Sequence, residues 1–555
     1  MGRGKIKVFI SYARENADVA RRLYNDLKSD LLEPWLDTEC ILPGQRWSDA
    51  IGKAIKNSDY FLALFSSTLV SKRGYVQKEI KDALAVLEDV PPDKGYLIPI
   101  RLDDCNIVID QFKDYQWVDL FPAYEDGLAK LLRAILPQTS VIVGDASDPS
   151  QAGWGVIFGA AADPKIYDEL APLLEWRRQQ TEHERPGLYK EFTGPAGYRQ
   201  RETHLDFLSR NGVGPSYRDP LRVPMYLLIV GDPEEIPFEF QYGLSTQYYV
   251  GRIHFESHED YRRYANSILN IEKKQPRQPP LVSFFSPRHI GDGATNLSTI
   301  HLIRPLREAL AKRYPALEIR SAEGEEATKI KLLSLLSNLD RPQLLFIAAH
   351  GMMFSPDGPL QEMAQGSILC MDWSGFGRVD ASHYVSPSDL LDVKLDGMII
   401  FIFGDFGGGT PTIGEFYLNI LDLRANAPLP RLAPRSFVSS LAKQLLGKCG
   451  ASAILAHIDR AWGYSIQWKA DVPQIDAFRQ ALSVLADGET IGKAHNFFVQ
   501  RFIEFSSHTS IALSSGLKAD DSYVVSLNLA TVDARNFVVI GDPAVRMTIR
   551  GHDGA

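Results

Sequence analysis

The chain has 555 residues, 45% of them apolar and 23% charged, with a formal net charge of -9 and a pI near 5.8. A single core rarely grows to that length, so several domains are expected, and the acidic balance argues against a generic nucleic-acid binder. No apolar run reaches the ~18–20 residues of a membrane span. Cys40, Cys105, Cys370 and Cys449 are scattered, without a CxxC or Cys/His cluster. That argues against a structural zinc site or a disulfide framework, and for a reducing cytoplasm.

The opening MGRGKIKVFISY passes from a basic lead straight into a strand pattern. It lacks a signal-peptide core, and Ile6 stands where a myristoylation signal wants Ser or Thr. Residues 5–136 alternate strand and helix signals. Lys7–Ser11 (KVFIS) reads as a strand and Asn16–Lys28 as a helix with Val19, Leu23 and Leu27 at helical spacing. EPWLD reads as a second strand ending at Asp37. Tyr60–Phe65 (YFLALF) and Tyr96–Ile100 (YLIPI) are near-continuous apolar runs, the mark of strands covered on both faces. Tyr75–Leu87 and Tyr124–Leu136 read as helices. The alternation predicts an open parallel sheet with helices on both sides.

Asp145–Gly153 (DASDPSQAG) is polar and turn-rich and reads as a linker. Residues 151–275 are mixed, with one clear buried strand in YLLIVGDPEEIP. Strand runs then follow as LVSFFS (281–286), LEIRSA (317–322), QLLFIAAHG (343–351), SILCMDW (367–373), MIIFIFG (398–404), ASAILAHI (451–458) and NFVVIGDP (536–543). Helical patterns lie at 300–314, 327–338, 436–448 and 474–486. IVGDP and VIGDP read as two independent strand-to-turn junctions rather than a repeat.

Ligands of open α/β sheets bind beyond the carboxyl ends of the strands. In the first segment those ends carry Tyr12, Arg14 and Asp37, followed by the loop ILPGQRW with Trp47; Glu79 falls on the helix Tyr75–Leu87. An arginine, two acidic side chains and aromatic faces suit a sugar-phosphate ligand. By spacing alone they suit solvated surface charges and packing tryptophans as well.

The succession VFISYARENADVARRLYNDL, EPWLD and ILPGQRWSDAIGKAIKNSDYFLALFSSTLVSKRGYVQKEIKDAL resembles a TIR domain of the bacterial, NAD-cleaving kind. The resemblance implies a flavodoxin-like parallel sheet and a loop, 38–47, used in self-association. It also implies that Glu79 is the catalytic glutamate and that Arg14 and Asp37 line the nucleotide pocket. Tyr12 and Trp47 are then available as stacking faces. Tyr75 stands where the family often has Trp. NAD+ is on this reading a substrate, with no cofactor and no metal. Cleaving the nicotinamide–ribose bond passes through an oxocarbenium-like state, which one carboxylate beside the ribose stabilises. Many TIR domains, however, only scaffold.

In the second half, His350 follows LLFIAA and precedes Gly351, while Asp405 follows MIIFIFG and precedes a glycine run. Polar groups at the ends of two buried strands have the layout of a catalytic dyad, and small residues after the second would let a substrate backbone approach. The stretches LLFIAAHGMMF, GSILCMDW, IIFIFGDFGGGTP, GASAILAHIDRAWG and FVVIGDPAVRM resemble the caspase-like cysteine peptidases of the gingipain and CHAT type. By that resemblance His350 matches the base and Asp405 stands in the seat of the nucleophilic cysteine. A carboxylate is a weak nucleophile toward an amide, and this family needs an activated thiolate. The chain as written is therefore expected not to be a cysteine peptidase, whether as a natural pseudoenzyme or as an inactivated form of a live one. An ion pair between Asp405 and His350 would hold the empty pocket shut. Cys370 reads as core filler. His457 with His350 and Asp405 would complete a two-His, one-carboxylate metal set, but reads better as a polar residue lining a pocket. Asp459 and Glu415 are candidates for an acidic pocket that takes a basic side chain.

The sequence thus predicts an α/β protein: a TIR domain over 1–138, a linker over 139–152, a mixed α/β N-terminal part of the caspase-like region over 153–279 and the caspase-like domain over 280–550. Expected partners are NAD+, further copies through the TIR domain, and a protein or peptide at the caspase-like pocket, with neither membrane nor nucleic acid. The expected function is NAD+ glycohydrolysis on self-assembly, controlled by the caspase-like region, in bacterial antiphage or stress immunity. A competing reading makes the TIR domain an oligomerisation or signal-receiving module and proteolysis the output of a parent with cysteine at 405. A third makes both halves adaptors.

Overall fold

The computed structural model describes residues 5–28, 32–41, 47–70, 96–105, 116–135, 145–183, 186–214, 218–274, 279–337, 342–395, 397–416, 429–468, 473–519 and 521–547. The chain forms two compact units, Met1–Val141 and Ile142–Ala555.

The first unit is built on β1 (Ile6–Ser11), β2 (Leu32–Trp35), β3 (Tyr60–Phe65), β4 (Leu97–Arg101) and β5 (Val118–Asp119), in the order β2-β1-β3-β4-β5 and parallel throughout. The apolar runs form strands because both sheet faces are covered: Phe61 to Phe65 are all buried. The helix Ala17–Leu27 buries Ala20, Leu23 and Leu27, one stripe at three- and four-residue spacing. Phe9 lies stacked between Trp35 and Phe61, with ring centroids 4.8 and 5.2 Å away. The expected closing helix is present as Tyr124–Ile135. The expected helix Tyr75–Leu87 lies outside the described residues, as do Tyr75 and Glu79 on it and residues 42–46 of the proposed association loop.

The second unit carries one ten-stranded sheet. Its strands are β6 (Trp154–Phe158), β7 (Tyr189–Phe192), β8 (Tyr226–Val230), β9 (Tyr249–Ile253), β10 (Leu281–Ser286), β11 (Glu318–Glu323), β12 (Leu344–Ala348), β15 (Ile399–Phe403), β18 (Ala453–His457) and β19 (Phe537–Gly541). Two short antiparallel ladders stand beside it, β13 (Ile368–Leu369) with β14 (Tyr384–Val385), and β16 (Gly409–Thr410) with β17 (Phe437–Val438). The order is β11-β10-β12-β15-β18-β19-β9-β8-β6-β7, and only the β18–β19 pair is antiparallel. Two parallel halves therefore meet back to back, with their carboxyl edges pointing in opposite directions. Strands from both sides of residue 280 share this sheet, so the mixed segment and the later domain make one body. A row of phenylalanines fills the space over the middle strands. Phe346 stacks on Phe401 at 4.4 Å, and Phe498 sits 4.2 Å from Phe537. Each such ring contributes roughly 1.5–3 kcal/mol by burial.

Three local expectations change. SILCMDW is not a strand of the main sheet. Only Ile368–Leu369 pair with β14, and the neighbouring backbone serves the turn after β12, with Leu369 N donating to His350 O and Met352 N to Ser367 O. The helices Ile491–Ser514 and Ser522–Arg535 escape the periodicity reading because apolar residues also stand off their buried stripe, Ile503, Ile511 and Leu513 exposed on the first, and Val525, Leu529 and Val532 lining a cavity on the second. The polar stretch 145–152, expected as linker, is folded into the unit. Asp148 caps a short helix, and the Ser147 carbonyl accepts from Tyr226 and Arg546.

The two GDP turns have different partners. Asp232 faces His254 at 3.3 Å. Asp542 is fully buried and accepts from Trp154 Nε1 at 3.0 Å and Arg177 Nε at 2.7 Å. Arg177 also donates to Glu272 at 2.6 and 2.9 Å. This ion cluster joins the helix Pro164–Glu182 to the last strand. Arg177→Ala would leave two carboxylates desolvated without their cation, and is expected to lower stability by about 3–5 kcal/mol. Chemical denaturation of the variant checks this through its midpoint and slope.

Candidate functional site

In the first unit the chain leaves β1 to one side for β2 and returns to the other side for β3, so the crevice of the sheet opens between β1 and β3. Asn16, beyond β1, donates to Ser66 Oγ beyond β3 at 2.8 Å, across that crevice. Beside it Tyr12 donates its hydroxyl to Asp37 Oδ1 at 2.7 Å. Burial and that carboxylate push the Tyr12 hydroxyl up to about 12, so it stays a donor. Arg14 opens the short turn Arg14–Asn16 and is exposed. Ser67 is tied to Asp103, beyond β4, through both its amide and its hydroxyl.

The second unit repeats this logic. From β10 the chain goes to β11 on one side and to β12 on the other, so the crevice lies between β10 and β12. Asp292 follows β10 and His350 follows β12, and they meet there, with His350 Nε2 2.7 Å from Asp292 Oδ2. On the other flank Asp405, beyond β15, brings Oδ2 to 3.4 Å from His350 Nδ1. Both ring nitrogens face carboxylates, which only accept, so the ring carries both protons and is an imidazolium between two anions. Asp292 is fixed by the amides of Ala294 and Thr295 and by the Thr295 hydroxyl, at the N-cap of the helix Gly293–Leu297. Asp405 accepts from Gly351 N at 3.3 Å and from Ala461 N at 3.0 Å.

Gly351 is required at this turn, because a Cβ there would stand 1.8 Å from the Asp405 carbonyl oxygen. Phe406 adopts φ +57°, a costly conformation for a bulky residue. The glycine run that follows does not open the site to a backbone. Gly407, Gly408 and Gly409 are buried, and a Cβ on Gly407 would lie 2.8 Å from the Ile402 side chain.

The hydrogen bonds that the ring donates to Asp292 and then Asp405 push the His350 pKa up to about 10, against the opposing effect of burial. Burial alone would raise Asp292, but the His350 hydrogen bond and the capping donors hold its carboxyl well below the usual range. A folded pKa above the unfolded value means that the ion pairs support the site fully below about pH 6.5. That support is lost as pH rises through about 10. Ring-nitrogen NMR is expected to show the His350 imidazolium persisting above neutrality, and Asp292→Asn is expected to bring its titration down toward the ordinary range. An unchanged titration would remove Asp292 as its chief partner.

A cavity of about 950 Å3 lies beyond Pro411, walled by Pro237, Ile413, Glu415, Arg435, Trp462 and Val525 among others. The expected acidic pair does not form there. Asp459 is buried and accepts from Arg460 N at 2.6 Å, while Glu415 reaches the wall but is paired with Arg535 at 2.6 Å. His457 lies outside the Asp292–His350–Asp405 cluster, with both nitrogens taken by carbonyl oxygens. Among the described residues no group of three metal-binding side chains could hold an ion, and no helix is long and apolar enough to cross a membrane. Cys370 is buried in the core, its thiol pushed up to about 12 by burial.

Residues 8–132 match the family model for the TIR domain. The first unit carries a TIR domain. A prokaryotic SEFIR domain of known structure is similar at 21% identity, covering 24% of this chain and 100% of that one, with a TM-score of 0.20. The complex of the Porphyromonas gingivalis RgpB pro- and mature domains is similar at 13% identity, covering 71% and 79%, with a TM-score of 0.43. A further protease structure is similar at 13% identity, covering 73% and 80%, also with a TM-score of 0.43. No curated protein matches.

In the TIR domain, Tyr12 and Asp37 thus stand together, with Arg14 nearby in sequence on the same edge. Glu79 lies outside the described residues, and of Trp47 only the backbone, at the head of the helix Trp47–Lys56, is described. Asn16 and Ser66 had no signal in the sequence beyond their places after strands. In the second unit His350 and Asp405 meet as their strand ends suggested. Asp292 was missed, although an aspartate before a small-residue helix start, beyond a buried strand, is a readable cap.

Proposed function

We propose that the chain is a two-part effector in which the TIR domain cleaves NAD+ once copies assemble, and the second unit binds a protein or peptide without cutting it. The observation that carries the first half is the TIR match over residues 8–132. The paired Tyr12 and Asp37 at the sheet's carboxyl edge suit the hydroxyls of a ribose. The silence of the second unit rests on the Asp292–His350–Asp405 cluster. A doubly bonded imidazolium is no base, and a carboxylate held by two amides is no nucleophile toward an amide bond. An immune role against phage or stress follows from the resemblance, since loss of NAD+ halts a cell. The test is NAD+ consumption by the purified full-length protein, dilute and crowded; no turnover in assembled protein ends this reading.

One observation favours a second reading, in which a cysteine at 405 makes the unit a peptidase. The Gly351 and Ala461 amides converge on residue 405, and His350 keeps a carboxylate partner in Asp292 on its far side. Those are the donors and the orienting group that a thiolate and an oxyanion use.

A further inference from the structure

His457 ends β18 with a fully buried side chain. Its Nδ1 lies 3.1 Å from the Asp459 carbonyl oxygen and its Nε2 2.8 Å from the Asp533 carbonyl oxygen. Carbonyl oxygens have no proton to give, and a neutral imidazole has only one N–H. A neutral ring would therefore press one lone pair against another in a dry site; the imidazolium satisfies both contacts. The counter-charge is close, since Asp533 Oδ1 lies 3.3 Å from Nε2 and is itself buried. Phe537 closes the remaining side, edge to face at 4.9 Å.

The segment that follows His457 hangs on this pair. The Asp459 carbonyl, which takes the Nδ1 proton, also accepts from Phe406 N at 3.0 Å, at the strained turn beside Asp405. Ala461 N donates to Asp405. Trp462 N donates to Asp533 Oδ1 at 3.0 Å, and the Ser465 hydroxyl to Asp533 Oδ2. Asp459–Ser465 thus supplies one amide to residue 405, places Trp462 in the wall of the neighbouring cavity, and is fastened below to His457 and Asp533.

We infer that His457 is an imidazolium in the folded protein and a positioning residue, which together with Asp533 fixes Asp459–Ser465 against residue 405. This concerns how the wall is built, so it stands or falls independently of what the site binds.

The other charged and titratable groups around the ring have their own partners. The Asp459 carboxylate accepts from Arg460 N, and Arg460 donates to Phe416 O. Asp405 takes Ala461 N and Gly351 N. From the helix Ile491–Ser514, Arg501 donates to the carbonyls of Tyr464 and Gln474, and His495 faces Phe537 O. Burial holds His495 down to about 4, so it is neutral. For His457, burial alone would lower the pKa, but the Asp533 hydrogen bond and charge, with the two carbonyls, raise it. The stabilisation is then complete below about pH 6.5 and lost as pH climbs through the folded value.

The test uses full-length protein with 15N-labelled histidine rings. At about pH 8, where ordinary histidines are neutral, two of the 12 rings should still carry two protons, His350 and His457. His350→Ala should leave one of them, and Asp533→Asn should remove the other. Hydrogen exchange over 458–466, corrected for intrinsic rates, should lose protection by up to about tenfold per pH unit between about pH 6.5 and the folded pKa, and level off above it. In Asp533→Asn that segment should be less protected and insensitive to pH. No imidazolium left in His350→Ala overturns the inference, and so does protection over 458–466 that is the same in Asp533→Asn as in the parent. Should Asp533→Asn fail to fold, the His350→Ala spectrum and the pH profile of the parent decide it.

Discussion

Crowded or concentrated full-length protein is expected to consume NAD+, and Glu79→Ala to slow that turnover by about a hundredfold or more. The chemistry sets the size of the effect. As the nicotinamide–ribose bond lengthens, positive charge builds on the ribose, and a carboxylate placed beside it acts only in the transition state. Removing one such preorganised group typically costs 10²–10³ in rate, that is, roughly 2.7–4 kcal/mol. Nicotinamide leaves readily, so no strong general acid is needed to share the work. Glu79 enters this prediction through the motif GYVQKEI alone. Tyr12→Phe gives a graded control, because it removes the hydroxyl that Asp37 accepts and leaves the aromatic face. It should weaken binding of NAD+ more than the chemical step, and so raise KM more than it lowers kcat. Equal turnover by the parent and Glu79→Ala would remove the glutamate from the mechanism. Dependence of the rate on protein concentration would tie activity to assembly.

Asp405→Cys is expected to let the second unit cleave its own chain or a bound peptide, and His350→Ala in that background to abolish the cleavage. With sulfur at 405, one anion leaves the cluster. His350 then keeps Asp292 at 2.7 Å on Nε2 and turns Nδ1 to a thiol instead of a carboxylate. Its pKa should fall from about 10 as the second partner is lost, which moves the ring toward use as a base near neutrality. The Gly351 and Ala461 amides, now spent on Asp405, become free to hold an oxyanion. General-base removal commonly costs 10²–10⁴, so the double variant should be inert on the timescale of the single one. Cleavage that survives His350→Ala would point to a contaminant or to another base. A folded Asp405→Cys protein that cuts nothing, while still binding partner, would leave the second unit a binding module.

The sequence determined a good deal of this. β3, β12, β15 and β18 were legible because a strand buried on both faces must be apolar at every position, and that leaves an unbroken run in the chain. His350 and Asp405 stood out for the same reason, as polar groups where such runs end. The order of motifs over residues 8–132 sufficed for the TIR domain. What periodicity records is burial, and burial does not say which strand lies beside which. That β19 runs antiparallel to β18, and so joins two opposed half-sheets, depends on hydrogen bonds between residues far apart in the chain. The same long-range order decided the site. Asp292 reaches His350 because β10 and β12 are neighbours, the glycines after Asp405 pack inward because β15 is central, and Asp459 is buried while Glu415 finds Arg535. A carboxylate's partner is set by the fold around it, so the tertiary structure alone brought Asp292 to His350 and Asp533 to His457.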